Sequence, residues 1–306
     1  MKNIIHSILF GFRELLSWTT AKYALIGGFI VTALWAGIGA MLWPALITLS
    51  THILELVPFS MVRSNGAWML SSFLWLQAVL LTFALILVFF GNIILRKISR
   101  EKYTGFTLLL VAGSALFWSL IWMKNGTYIY QQFLKLLTWL PFETIEKGIA
   151  FLIGIYIIYN AIVVTWVFIT SLFSETLLSS VEHRHFGSDT VRHDHLFSSI
   201  GYTIRDALIF LGASIILFPL LFVPVLNILV QIALWTWLIK DTMAYDAAAL
   251  VFEKVDKDTI KQHRFAVWSI SGLTALFNFV PLLNLLGPFF GEIALYHYEK
   301  TVQNKE

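Results

Sequence analysis

Phe222-Val223-Pro224-Val225-Leu226-Asn227-Ile228-Leu229 and Phe279-Val280-Pro281-Leu282-Leu283-Asn284-Leu285-Leu286 both read FVPxLNxL. Each copy joins two apolar helical segments, and neither carries a charge. A turn in water recruits Asp, Ser, Lys or Gly, because its free backbone groups must be solvated. These turns are built for an apolar place. Proline donates no helical hydrogen bond and pushes the residue before it out of the α region, so helices are expected to end near Val223 and Val280. Asn227 and Asn284 are then placed to cap the returning helices. The returns echo each other again, Ile232-Ala233-Leu234-Trp235-Thr236-Trp237 against Ile293-Ala294-Leu295-Tyr296-His297-Tyr298. The turns lie 57 positions apart and the echoes 61, so the second return holds four extra residues, about one helical turn.

The solvent implied is lipid. With 58% hydrophobic and 13% charged residues, the chain lies far from soluble domains, in which charged residues are about a quarter. It reads as an all-α integral membrane protein. The absence of cysteine removes disulfides and thiolate chemistry together. A net charge of +3 does not suggest nucleic acid as a partner. The partner implied is the bilayer, no cofactor is called for, and no nucleophile elbow, phosphate-binding glycine loop or HExxH points to an enzyme.

Four long apolar segments run from about Tyr23 to Ser50, Ala67 to Leu95, Thr104 to Met123 and Gly148 to Phe173, each able to span with the ~20 residues required. The C-terminal segments read shorter: 17 residues from Ala207 to Val223 and 16 from Phe265 to Val280. Together with the charge-free turns, this predicts two proline-turned, partly penetrating helical hairpins, 205–243 and 264–300, that enter and leave by one side. Such backbone is tolerated at depth only inside protein or beside a water-filled cavity.

Lysine and arginine set the orientation. With the N-terminus inside and both hairpins returning inward, Arg63, Lys124, Lys135 and Lys147 are the outer basic residues, and the other 17 of the 21 lie inside. N-in and C-in is expected, in a bacterial inner membrane. At the start, Ile4, Ile5, Ile8, Leu9, Phe12, Leu15 and Leu16 recur at helical spacing opposite Lys2, His6, Arg13 and Glu14. That pattern, without a small-residue cleavage site, reads as an amphipathic interfacial helix over 1–21 rather than a leader.

A weaker repeat runs from Lys22-Tyr23 to Val57-Pro58-Phe59 and from Lys102-Tyr103 to Leu140-Pro141-Phe142; duplication and chance similarity of lipid-facing segments both account for it.

The order of a long helix ending Ala115-Leu116-Phe117-Trp118, an LPF connection, a second long span, the stretch Phe173-Ser174-Glu175-Thr176-Leu177-Leu178-Ser179-Ser180-Val181-Glu182 and two proline-turned hairpins resembles the CysZ-type sulfate permease family. The larger family includes the etoposide-induced membrane proteins. The closest match is FNFVPLLNLL at 277–286. The resemblance covers about 104–300, with 22–103 as an extra N-terminal transmembrane hairpin before a CysZ-like domain, 104–306. It implies a pathway for sulfate or a related anion, formed by two long helices and two partly penetrating helix pairs, in a homo-oligomer. The family's basic turn before its first long helix, of the Pro-Gly-Leu-Arg-Arg type, is absent: this chain has Ser17-Trp18-Thr19-Thr20-Ala21-Lys22-Tyr23 and Ser99-Arg100-Glu101-Lys102-Tyr103. Lys22, Arg100 and Lys102 can attract anions or serve as inner anchors snorkelling to lipid phosphate.

Glu292 reads as the ionisable residue well inside a C-terminal apolar segment, and it aligns with Gln231 before the shared Ile-Ala-Leu. It is either a proton- or cation-coupling group or a structural acid hydrogen-bonded within the bundle. Asn160 and Gln77 read as interhelical hydrogen bonds. The candidate substrate pathway therefore comprises Asn227, Asn284, Pro224, Pro281, Glu292, Gln231, Lys22, Arg100 and Lys102. His183, His185, His193 and His195 lie in what reads as a loop at the inner face; His-x-His in extended chain puts both rings on one side, weak candidates for zinc, against a solvated or pH-responsive loop. Two functions remain: a membrane permease or channel for a small anion, and a non-transporting membrane scaffold or assembly protein.

Overall fold

A computed structural model describes residues 2–55, 75, 79, 82, 100–139, 145–187, 196–223, 225–252, 255, 260, 262–280 and 283–303. Among them the regular elements are all helical: α1 (Lys2–Leu15), α2 (Trp18–Met41), α3 (Trp43–Glu55), α4 (Arg100–Trp139), α5 (Ile145–His185), α6 (Leu196–Ile216), a 3-10 segment (Phe218–Phe222), α7 (Leu226–Ala249), α8 (Arg264–Phe277) and α9 (Leu283–Gln303). Among the described residues three helices are long and apolar enough to cross a membrane: Thr20–Met41, Gly148–His185 and Ser199–Ile216.

The first expected span is cut short. α2 stops at Met41, and Leu42 leaves the helical region at φ −94°, ψ 8°. Pro44 explains the break, since it lacks the N–H that a continuous helix would use. The 22 residues that remain are about 33 Å of helix, enough for a crossing. The segment Ala67 to Leu95, with Gln77, falls almost wholly outside the described residues, whereas Thr104 to Met123 falls within α4. The fourth span extends past Phe173 to His185 as one helix of 41 residues.

The chain divides into two compact units, one of Met1–Trp43, Tyr156–Phe218 and Val230–Glu306, the other of Pro44–Ile155 and Pro219–Leu229. In the second unit, Trp118 Nε1 donates to Thr82 Oγ1 at 2.9 Å. In the first unit α1 lies on α9. Gly11 permits the contact: a Cβ there would come within 3.0 Å of the Ala294 Cβ and 3.1 Å of Phe290. Phe12 packs on Phe290 and Phe277, with ring centroids 4.6 and 5.8 Å apart, and Phe10 stacks on His297 at 4.3 Å. The apolar stripe of α1 is thus covered on its Phe10, Gly11 and Phe12 side by protein.

Close approach also sets α2 in place. A Cβ on Gly27 would meet the Trp166 ring at 2.7 Å, one on Gly28 the Leu285 side chain at 2.8 Å and one on Gly39 the Ile158 side chain at 2.4 Å. Small residues at helix contacts let backbones approach where no hydrophobic drive separates helix from lipid. Trp35 adds a hydrogen bond to Thr165 Oγ1 at 2.9 Å. The outer side of α2 exposes Ile26, Phe29, Ile30 and Leu34, as a lipid-facing helix requires.

The two hairpins are built differently. α6 is a 21-residue helix, about 31 Å, because it starts at Leu196, eleven residues before the apolar run begun at Ala207. It then ends at Ile216 rather than near Val223. Pro219 is the physical reason: its missing N–H ends the helix, and the chain continues as 3-10 turn to Phe222. Ser199, Thr203, Asp206 and Phe210 form the buried face of α6, and Ile204, Leu208, Leu211 and Ile215 the exposed one. α8, by contrast, is a short apolar helix of 14 residues, about 21 Å.

Pro224, Pro281 and Leu282 lie outside the described residues. Around both prolines the backbone closes in the same way, Asn227 N–H to Val223 O at 2.9 Å and Asn284 N–H to Val280 O at 3.1 Å. The helices begin at Leu226 and Leu283, one residue before each asparagine, so neither asparagine is the N-cap. Asn227 instead accepts the N–H of its neighbour Ile228 at 2.8 Å through Oδ1. Asn284 sits buried in the first turn of α9. The preceding residue of the first turn, Val225, takes φ 68°, a left-handed conformation unusual for a β-branched residue.

Candidate functional site: a polar ladder and buried acids in the helical hairpins

The long helix α5 carries a ladder of polar side chains that hold both hairpins. Tyr156 and Asn160 are one helical turn apart, as are Gln231 and Trp235 on α7, so the pairs meet rung by rung. Gln231 Nε2 donates to Tyr156 Oη, and Trp235 Nε1 donates to Asn160 Oδ1 at 3.0 Å. Asn160 is therefore the interhelical hydrogen bond that its place in an apolar span suggests. Tyr159 donates to the Asn278 carbonyl, and Trp166, two turns further on, donates to the Leu285 carbonyl at 2.7 Å. These two bonds fall on either side of the second proline turn, the first at the carbonyl of the residue that ends α8, the second at a carbonyl in the first turns of α9.

Within α7, Gln231 is fully buried, and its Oε1 has no hydrogen-bond partner. At the equivalent position of the second return, Glu292 is 1% exposed and its Oε2 likewise has no partner. The next helix contact explains how close the backbones come there: a Cβ on Gly291 would lie 2.5 Å from Met243 Sδ and 2.9 Å from Thr274 Oγ1. Glu292 is not alone among buried acids. Asp206 and Asp246 are 0% and 4% exposed. Arg205 pairs with Asp206 at 2.7 Å and also with Asp241; Lys240 pairs with Asp241 at 2.6 Å, its ammonium 4.4 Å from the Trp237 ring. Ser199 donates to Asp246 Oδ1 at 2.5 Å, and Ser171 and Ser199 share a hydrogen bond of 2.6 Å. These acids escape a reading that starts the first hairpin at 205 and its apolar run at 207. The signal that finds Asp206 is its place one turn after Thr203, itself one turn after Ser199, on one face of a helix.

Of the basic candidates, Lys22 stands in the first turns of α2, half-buried, with its ammonium 4.8 Å from the Tyr23 ring. Arg100 and Lys102 begin α4, where only the backbone is described. The candidate pathway residues are thus spread over α2, α4, α7 and α9.

His183 and His185 are helical, in the last turn of α5. The extended-chain geometry for zinc does not apply to them, because residues two apart on a helix point to roughly opposite sides. His185 Nε2 instead meets Glu14 Oε2 at 2.8 Å, and Arg184 meets Glu14 Oε1 at 2.5 Å. His193 and His195 lie outside the described residues. Among the described residues no group of three or more His, Cys, Asp and Glu comes together to hold a metal. Nearby, Ser7 Oγ and His297 Nδ1 lie 2.9 Å apart and Lys300 pairs with Glu182 at 3.0 Å, so α9 is tied at this end to α1 by the first contact and to α5 by the second.

No curated protein and no solved structure matches the chain. Residues 94–288 match the family described as Sulfate transporter CysZ/Etoposide-induced protein 2.4. The match takes in α4 to α8 and both proline turns, and stops four residues before Glu292. With well over half of its length matched, and with both proline turns inside the match, the chain belongs to the CysZ/etoposide-induced protein family of membrane proteins.

Proposed function

We propose that this protein is a membrane permease or channel for a small anion, sulfate or a related oxyanion, working as a homo-oligomer in a bacterial inner membrane with both termini cytoplasmic. The observation that carries the reading is the ladder from α5 to both hairpins, Tyr156–Gln231, Asn160–Trp235, Tyr159–Asn278 and Trp166–Leu285, in a chain of a family whose description names a sulfate transporter. It places polar side chains and helix ends where apolar packing alone would suffice, which is how helix-terminus ion sites are built in membranes. In this reading the four full spans, with two hairpins returning to the inner face, surround a path lined at Asn227, Asn284, Gln231 and Glu292, with Lys22, Arg100 and Lys102 at its inner mouth. The chain acts by binding and passage rather than by catalysis.

Uptake of radiolabelled sulfate into proteoliposomes holding the purified chain tests this directly. Uptake above empty vesicles is expected, and Glu292→Gln should remove its dependence on pH, because the amide keeps the shape of the acid and loses its proton exchange. No uptake of sulfate or of other small oxyanions by well-folded protein would leave the second function, a non-transporting scaffold.

A further inference from the structure

The junction of α1 and α2 hides its acid and shows its bases. Glu14 is the one acidic residue in the first 50, against Lys2, Arg13 and Lys22. It is 5% exposed, and its carboxylate is taken up inside the fold: Arg184 reaches Oε1 at 2.5 Å, His185 Nε2 lies 2.8 Å from Oε2, and Ser17 and Thr20 each donate to Oε1 at 3.4 Å. Arg13, next to it, is exposed and Lys22 is half-buried, and among the described residues neither meets a carboxylate. The large side chains around them are open as well, Leu16 at 60%, Trp18 at 74% and Tyr23 at 64%. Trp18 and Lys22 are one turn apart on α2 and share a face, and the Lys22 ammonium stands 4.8 Å from the Tyr23 ring.

These residues stand where a membrane span begins, since the apolar stretch of α2 opens at Thr20. Further along α2 the exposed side chains are Ile26, Phe29, Ile30 and Leu34, which suit lipid tails. The junction adds cations and amphipathic rings, the combination that belongs at headgroup level. The Phe10, Gly11 and Phe12 side of α1 is not free for this task, because it lies on α9. A base beside a negative membrane surface gains about fivefold in affinity, so two bases with no acid at the surface beside them favour an anionic headgroup over a zwitterionic one. Leu16, Trp18 and Tyr23 in turn offer a free phosphate ion nothing to bind. We propose that the α1–α2 junction is a docking surface for anionic phospholipid, with Arg13 and Lys22 at the lipid phosphate and Leu16, Trp18 and Tyr23 among the headgroups and upper tails. Burial of Glu14 makes the surface selective. It lies outside the family match and does not depend on the permease reading, since it requires only the folded chain in contact with lipid.

The test is native mass spectrometry of the purified full chain, released from detergent micelles that hold phosphatidylglycerol and phosphatidylcholine of identical tails in equal amounts. Retained phosphatidylglycerol is expected to exceed phosphatidylcholine by about tenfold or more, as two bases imply. Arg13→Gln combined with Lys22→Gln should bring the two lipids to within about twofold of each other, at an unchanged thermal midpoint. Should the double variant fail to fold, either single substitution should cut the preference about fivefold. Trp18→Ala should lower retention of both lipids and keep their ratio. Arg264→Gln, which removes an exposed base at the start of α8, should leave the preference as it is. Equal retention of the two lipids by the wild-type chain overturns the proposal, and so does an undiminished preference in the folded Arg13 and Lys22 variants. An equal loss in Arg264→Gln would make the preference a matter of total charge and overturns it as well. Displacement of phosphatidylglycerol by inorganic phosphate at the lipid's own concentration would assign the two bases to a free oxyanion instead, which also overturns it.

Discussion

The two proline turns share a sequence and a closing hydrogen bond, yet the hairpins they join differ in how they are held. The first rises on a 21-residue helix and turns through a 3-10 segment with Val225 at φ 68°. Its turn clusters with α4, as part of Pro219–Leu229. The second rises on 14 residues, and Tyr159 and Trp166 of α5 hold its turn from either side. A repeated motif therefore fixes the fold-back but not the length of the arms. Length comes from where breakers such as Pro219 stand, and anchorage from donors elsewhere in the chain.

The largest contrast is expected at glycines. Gly291→Ala drives a Cβ into Met243 and Thr274 and should destabilise by about 1–3 kcal/mol, the range for overpacking. Gly212 on α6 has open space around it, so Gly212→Ala should be neutral or stabilising by about 0.5–1 kcal/mol, as removal of a helix-interior glycine permits. Thermal unfolding in detergent measures both, and equal losses would remove the distinction between a tightly and a loosely packed arm.

A middle effect is expected from the donors. Tyr159→Phe deletes one hydrogen bond to a carbonyl of the second turn and should cost about 0.6 kcal/mol, at most about 1.7, as membrane hydrogen bonds do, whereas Trp166→Phe should cost more, because the buried indole also packs against Gly27 and Phe289. Amide exchange should quicken at 278–286 and stay unchanged at 222–229. Equal acceleration at both turns would show that α5 does not single out the second. The smallest effect belongs to Pro219→Ala, which should let α6 continue past Ile216 by up to one turn, seen as a few added protected amides over 217–222. Unchanged protection there would move the cause of the break to Pro224.

Much of this was legible in residue order. The composition, the paired FVPxLNxL and the shared Ile-Ala-Leu point to a helical membrane chain with two fold-backs, and the family match agrees with the residues that carry the resemblance. What local pattern hides is anchorage. Nothing near Tyr159 or Trp166 says that their donors reach carbonyls about 120 residues away, because the same aromatics serve equally well against lipid. Asp246 is hidden for another reason: it stands in the last turn of α7 among alanines, past Lys240 and Asp241, where charge is ordinary at a membrane face, and nothing near it says that it is buried and meets Ser199 of α6. The histidines mislead because α5 runs on to His185, and helical geometry separates side chains that an extended loop would align.

The central claim is that both hairpins enter and leave by the inner side. The chain has no cysteine, so single cysteines placed at Gly126, Arg63, Ser188 and Asp256 report their side of the membrane without background. In intact cells a membrane-impermeant maleimide should label Gly126→Cys and Arg63→Cys, and leave Ser188→Cys and Asp256→Cys unlabelled until the cells are opened. Labelling of Asp256→Cys from outside at the level of Gly126→Cys would contradict the account, because the link between the hairpins would then face outward and the first hairpin would cross only once.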